Sequence, residues 1–553
     1  MRAAGVVRPA GAGGMSGAGY RQRLGGVHTW AGIVLGVLLF AIFWMGTLSV
    51  FDRELDRWMM PATRLAAPQA PPRLDALVPL AQAHVPEGAR QWRIDWPTAR
   101  TPVLRLSWQT REGAREQRHL DPATLAVLPD AGTWGASGFF FPFHYGLHID
   151  WNGVGKWLVG IAGMGMLVLL VSGVVIHRKL LADFFTFRPR KRLPRSSLDL
   201  HNLTGVAALP FHFAITLSGL VIFWAIYFPQ AHVGVYGTGA QARAAVQADG
   251  YGRYRPPRGQ GDAGAGVAGT GGAAPAAAAP LASLDAMAAQ ARQVWGGGAE
   301  PYFVRVWKPG RADSYVEFRR SYAREVSMNL GQLYFDAGTG RLLQRFEAAP
   351  AMGVQRFLSG LHFVQFEHAL LRWLYFGLGL CGCVMIATGQ VYWLATRRAR
   401  TPPHAGGRVV AALSVAGTAG LVVATLAYLA ANRLLPAHAS VNVAGLALDR
   451  GALEVAAFCA VWLGSLLHAG LLHTDLRGAR AWRDQARAIA VLAPACVALN
   501  AWTTGAYGAA TIAHTPAAVW GVDGLLLALG VVAAVAARRL QAAAAAGVPA
   551  RKR

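Results

Sequence analysis

The sequence predicts a polytopic α-helical membrane protein of about eight transmembrane helices with two small α+β modules set between them. Three observations carry this. Of the 553 residues 54% are hydrophobic and only 15% are charged, a composition rare in a single soluble domain. Apolar runs of about 20 residues, enough to cross a bilayer at 1.5 Å per residue, recur along the chain. The basic residues behind the net charge of +25 collect in short loops between those runs, as the positive-inside rule describes. No nucleic-acid partner is therefore expected.

Taken in order, residues 1–26 are Gly/Ala-rich with Arg2, Arg8, Arg21 and Arg23 and read as a disordered cytoplasmic tail. The first span, residues 28–51, is too long for a cleaved signal and stays as an anchor. Residues 52–143 are polar, with a helix-like LDALVPLAQAHV and alternating runs such as VLRLSW, the pattern of a small α+β module. A second span covers 154–176. The loop at 178–199, rich in arginine and lysine, belongs in the cytoplasm. The third span, from residue 198 to 228, reads as one helix running outward. On it His201 and His212 share a face, about 16 Å apart along the axis. Residues 234–281 predict a disordered insertion. Residues 282–346 predict a second module, again a helix (LDAMAAQARQVW) followed by strands. The fourth span lies at 370–394, and four more near 409–431, 452–472, 486–506 and 516–537 make a C-terminal extension within residues 409–540. An even count puts both termini in the cytoplasm and both modules outside. Asp523 is expected at the membrane interface.

Spacing reveals an internal duplication. His28 is followed by Gly32 and Gly46 at offsets 4 and 18, and His201 by Gly205 and Gly219 at the same offsets. Trp157 of Lys156-Trp157 lies 16 before Gly173, and Trp373 of Arg372-Trp373 lies 16 before Gly389; His144 and His362 precede those glycines by 29 and 27. The two units, residues 27–177 and 200–396, thus share a topology that a pseudo-twofold axis along the membrane normal would relate. Such an axis sets His28 opposite His201 at an inner depth and His144 opposite His362 at an outer one. Two imidazoles facing each other are what a six-coordinate haem iron needs. His148, His177, His212 and His368 break the symmetry and are further candidates, as alternative ligands or as partners of haem carboxylates. His468, His473 and His514 are too scattered to form a site. Cys381, Cys383, Cys459 and Cys496 all sit in apolar runs, which predicts helix packing and neither disulfides nor zinc.

The motifs GGVHTWAGIVLG, FHYGLHIDWNGVGKWLVG, SGVVIHRKLLADFFTFRPRK, LDLHNLTGVAALPFHF and SGLHFVQFEH resemble the PepSY-associated transmembrane helix family, and within it the bacterial inner-membrane ferric-siderophore reductases and iron-regulated membrane proteins. The resemblance covers about residues 20–398. It implies a four-span core in the bacterial inner membrane, two periplasmic PepSY-like modules, and haem b, two per chain, held by membrane histidines. Electrons would pass from the cytoplasmic side to a ferric siderophore or other iron chelate. By motif position the ligand roles fall on His28, His144, His201 and His362, and less directly on His148, His177, His212 and His368. No Rossmann fingerprint or P-loop occurs, so the expected donor is a separate cytoplasmic reductase, a quinone or a diffusible reductant. Two other classes compete: a non-enzymatic membrane scaffold whose modules bind periplasmic proteins or peptides, and an iron-chelate transporter.

Overall fold

The computed structural model describes residues 17–68, 72–177, 187–188, 191, 193–228, 230–254, 280–329, 331–398, 405–443, 445–472, 479–505 and 515–546. The first span is helix α1 (Gly17–Ser49). It begins inside the segment expected to be disordered, because extending an existing helix costs far less than nucleating one; residues 1–16 of that tail lie outside the described residues. A short α2 (Asp52–Met59) turns off its end. Then come α3 (Val78–His84), strands β1 (Gln91–Asp95), β2 (Leu104–Gln109) and β3 (Arg115–Leu120), and α4 (Gly135–Gly146), which returns the chain to the bundle ahead of the second span, α5 (Val154–Ile176).

The third span departs from expectation. It is two helices, α6 (Leu193–Ala207) and α7 (Leu209–Ile222), which meet at 66°. Pro210 occupies the first turn of α7, where its ring supplies no N–H and crowds the preceding turn. His201 and His212 therefore sit on different helices and share no common face. Part of the expected disordered insertion is also helical, as α8 (Gln230–Tyr236) and α9 (Gly239–Tyr251). The Ala-rich stretch in α9 favours a helix, and Gln332 Nε2 ties its end down by donating to the Tyr251 carbonyl at 2.8 Å. Residues 255–279 of the insertion lie outside the described residues.

Helix α10 (Leu284–Trp295) and strands β4 (Pro301–Trp307), β5 (Tyr315–Arg320), β6 (Gln332–Asp336) and β7 (Leu342–Phe346) follow. The two polar segments, read as separate modules, share one seven-stranded antiparallel sheet of order β3-β2-β1-β4-β5-β6-β7. The seam is β1 against β4, with Trp92 opposite Val306 and Ile94 opposite Val304. Alternation along each strand sends Trp92, Ile94, Leu106, Val304, Val306 and Phe318 to one face, where Leu284, Met287 and Ala291 of α10 cover them. The helices of the two segments cap each other: the Leu74 N–H donates to Asp285 Oδ1 at 2.8 Å and the Leu284 N–H to Asp75 Oδ1 at 2.7 Å. Each aspartate satisfies an N-terminal donor of the other's helix.

Helix α11 (Pro350–Phe363) leads back from the sheet to the fourth span, α12 (Ala369–Arg398). The C-terminal helices are α13 (Ala405–Leu434), α14 (Arg450–Leu471), α15 (Ala479–Thr504) and α16 (Ala517–Ala546). Among the described residues seven helices are long and apolar enough to cross a membrane, or eight if the bent α6–α7 pair is one span. The chain is a multi-pass membrane protein. Its C-terminal bundle packs on the first half of the core through polar ties: Trp44 donates to Thr425 Oγ1 at 3.0 Å, Tyr428 to the Gly135 carbonyl at 2.9 Å, and Trp58 to Asp523 Oδ1 at 2.8 Å. Asp523, expected at an interface, is 3% exposed. A carboxylate there is tolerable because the Trp58 indole N–H meets it.

Candidate functional site

Helices α1, α4, α5, α6, α7, α11 and α12 enclose two cavities at opposite ends of the four-span core. The inner one, towards the basic loops, measures about 620 Å³ and is lined by His28, His177 and His201. The outer one, towards the sheet, measures about 490 Å³ and is lined by His144 and His362. Both fall in the range of ligand sites, about 300–1,000 Å³. Leu39 and Met166 line both cavities and so form a side-chain layer common to the two.

One local rule holds all four paired histidines. His144 lies against Gly46 and its Nδ1 bonds the carbonyl of Ile42 at 2.8 Å; His362 lies against Gly219 and bonds the carbonyl of Ile215 at 2.8 Å; His201 lies against Gly389 and bonds the carbonyl of Met385 at 2.8 Å. His28 lies against Gly173, bonds Ser172 Oγ at 3.0 Å and makes a backbone hydrogen bond to Leu169. In every case the acceptor carbonyl is four residues before the glycine. A helix buries that carbonyl under the side chain of the residue four ahead. With no Cβ in the way, the imidazole rests on the helix and the carbonyl accepts a second hydrogen bond. A Cβ at Gly46 or Gly219 would fall 2.7 Å from the ring. Ser172 and Ser218 donate their own hydroxyls to the Leu169 and Ile215 carbonyls at 3.1 Å, so each accepts from its histidine. Nδ1 is therefore the protonated nitrogen in all four rings, and Nε2 keeps its lone pair.

Across the inner cavity the His28 and His201 ring centres are 6.5 Å apart with planes at 86°; across the outer one His144 and His362 are 5.8 Å apart at 28°. Metal–imidazole bonds are about 2 Å, and a ring centre lies about 1 Å beyond its nitrogen, so two axial imidazoles on one metal have centres roughly 6 Å apart. Both pairs match that spacing.

The other candidates lie elsewhere. His177 lines the inner cavity beside the pair. His212 is fully buried, donates Nε2 to the Leu378 carbonyl at 3.2 Å and sits 5.7 Å from Phe43, but lines neither cavity. His148 donates Nε2 to the Phe139 carbonyl at 2.9 Å and stacks on the Phe139 ring. His368 is exposed and accepts from the Leu371 N–H at 3.2 Å, capping the start of α12. Of the scattered histidines, His468 lies on α14, and His473 and His514 lie outside the described residues. Sequence reasoning missed Gln390, which lines the inner cavity at 2% exposure with neither end of its amide paired among the described residues. An amide in an apolar run, directly after one of the offset glycines, was the available signal.

The sequence matches the PepSY-associated TM region over residues 26–396. The chain belongs to the PepSY-associated transmembrane family. The match runs from within α1 through most of α12 and stops short of the C-terminal bundle. An uncharacterized protein of Pseudomonas aeruginosa is similar to this family member, 28% identical over 365 residues, which cover 63% of this chain and 83% of the relative.

Proposed function

We propose that this PepSY-associated membrane protein holds haem b in each cavity and conducts electrons across the bacterial inner membrane to ferric chelates of the siderophore type. One observation carries the reading: two pairs of imidazoles at axial spacing, each with Nδ1 engaged and Nε2 open. Metal-bound histidines are held this way, by an acceptor on the far nitrogen that fixes the tautomer. The residues present fit the group. Gly46, Gly219 and Gly389 leave hollows that a Cβ would fill, and the orphaned Gln390 amide offers a donor and an acceptor to the inner cavity. Lys156 at the outer cavity and Arg397 at the inner one supply positive charge for haem carboxylates. The likeness of the two units supports a pseudo-twofold arrangement of the pairs.

When bound, haem supplies a one-electron carrier at each depth. His28 with His201, and His144 with His362, would hold the iron through the open Nε2 of each ring. Leu39 and Met166 keep water from the layer between the cavities while leaving it one side chain thick. The positive-inside distribution of basic residues supports cytoplasmic termini and a periplasmic sheet. Reduction of iron(III) to iron(II) weakens its hold on hard oxygen donors, so a single electron delivered at the sheet end releases the metal. The donor is a separate reductase, a quinone or a diffusible reductant.

Single-turnover oxidation tests this. Protein in nanodiscs, reduced with dithionite and mixed with a ferric chelate, should lose its reduced Soret band while ferrozine traps iron(II) in equal amount. A protein with no reducible Soret band, or one that iron(III) does not reoxidise, would overturn the proposal.

A further inference from the structure

The sheet face turned away from α10 carries an unusual charge pattern. Arg93, Arg105, Arg305 and Arg319 share two carboxylates there. Asp95 pairs with Arg93 and, at 3.0 Å, with Arg105; Glu317 pairs with Arg305 at 3.2 Å and Arg319 at 3.3 Å, and also accepts from Trp307 Nε1 at 2.9 Å. Three of these guanidiniums converge on one ring: Arg93, Arg305 and Arg319 lie 3.8, 4.8 and 5.2 Å from the centre of Phe303. Their Nε atoms are buried with no hydrogen-bond partner among the described residues. The side chains nonetheless keep 19%, 19% and 30% of their surface open. Like charges gathered around an aromatic plane repel one another, and a buried donor left without a partner is costly. An anion against the open guanidinium edges would relieve the repulsion. Planar guanidiniums bind oxygen anions through paired donors and stack on aromatic rings, so the complementary ligand is anionic, oxygen-rich and aromatic.

The face is also tied to the outer cavity. Arg356 of α11 lies 5.1 Å over the ring of Tyr251, whose carbonyl is held by Gln332 on β6. Six residues further along the same helix, about 9 Å by helical rise, is His362.

We propose that this arginine face, its guanidinium planes resting on the buried Phe303 ring, docks the iron chelate and selects complexes of net negative charge with aromatic oxygen donors, of catecholate or phenolate type, over neutral or cationic hydroxamate complexes. This rests on the reductase reading for the identity of the cargo, and its test is independent of electron transfer. Gallium(III) replaces iron(III) in such complexes and takes no electron. The full chain in nanodiscs of zwitterionic lipid is titrated with gallium tris(catecholate), which is trianionic, and with a neutral gallium trishydroxamate, with isothermal calorimetry as the readout. The anionic complex should bind at least about tenfold more tightly, as one or two charge-assisted hydrogen bonds would give, and should weaken as salt rises. R305Q/R319Q should cost at least about tenfold in that affinity. E317Q frees the same two guanidiniums and should tighten binding, a change of sign that a misfolded sheet would not produce. Equal affinity for both complexes, no response to either variant, or binding of an acidic peptide with none of gallium tris(catecholate) would overturn the proposal. Gallium binding by a protein without a Soret band would instead overturn the reductase reading and leave this face as an anion site.

Discussion

The inner and outer histidine pairs obey the same local rule and differ in geometry. The inner pair sits on α1 and α6, with ring planes at 86° and His28 held by both the Ser172 hydroxyl and the Leu169 backbone. The outer pair sits on α4 and α11, short helices lying just before the second and fourth spans, with planes at 28° and carbonyl acceptors on both sides. Plane angle matters because each imidazole donates π density perpendicular to its ring. With haem held as proposed, parallel rings would split two iron d orbitals and perpendicular rings would leave them nearly equal. Two sites built from one motif can therefore differ electronically through helix placement alone.

The largest break in that comparison comes from removing one pair at a time. H28A/H201A and H144A/H362A should each lose about half of the haem, since the two cavities have separate ligands. Electron paramagnetic resonance should separate the survivors. The outer site should give a rhombic low-spin signal and the inner one a strongly axial signal with a single large g value. Identical signals from the two double variants would show that the pairs do not differ as described.

A graded effect is expected at the glycines. G46A and G219A put a methyl 2.7 Å from the outer imidazoles, whereas the corresponding approach at Gly173 is 3.3 Å. Overpacking of this kind costs about 1–3 kcal/mol. The outer haem should be lost or loosened in G46A while G173A keeps most of the inner one, with haem retention after size exclusion as the measure. Equal retention in the two variants would deny the glycine cradle.

Smaller still is S172A. Losing the acceptor behind a ligand histidine commonly costs about 10–100-fold in metal affinity, but His28 retains its backbone hydrogen bond to Leu169. The expected result is a shift in the inner midpoint potential with haem content unchanged, and loss of the inner haem would place the tautomer control on the serine alone.

These contrasts also explain what could be read in the chain. The glycines are legible by their offsets alone, because a ring that rests on a helix leaves a fixed position where no Cβ is allowed. His28, His201, His144 and His362 followed from the same spacing. The joining of the two polar segments was not legible: β1 pairs with β4 across more than two hundred residues, and alternation within a strand says nothing about its neighbour. Asp75 and Asp285 stood at matching places in LDAL and LDAM, yet each caps the other's helix, which no local pattern reveals. The bend in the third span was written in Pro210, and apolar length masked it. Gly/Ala composition concealed α9 in the same way, since alanine favours a helix as readily as low complexity suggests disorder.

Away from the cavities, the sheet should respond to acid. Burial alone would raise the Asp95 carboxyl, but the Arg105 and Arg93 guanidiniums outweigh it and hold it below the usual carboxylate range. A depressed carboxylate stabilises the fold above its ordinary value of about 4 and loses that contribution as pH falls through the folded value. The thermal midpoint followed by tryptophan fluorescence should be flat from about pH 7 to 5 and drop below about pH 4, and D95N should flatten the drop.

The most direct test of the central claim is haem content and spin state in the purified chain, by pyridine haemochromogen assay with a carbon monoxide difference spectrum. Four imidazoles in two axial pairs predict two haems b per chain, low-spin and indifferent to carbon monoxide. A chain without haem, or one whose reduced iron is high-spin and binds carbon monoxide, would contradict it.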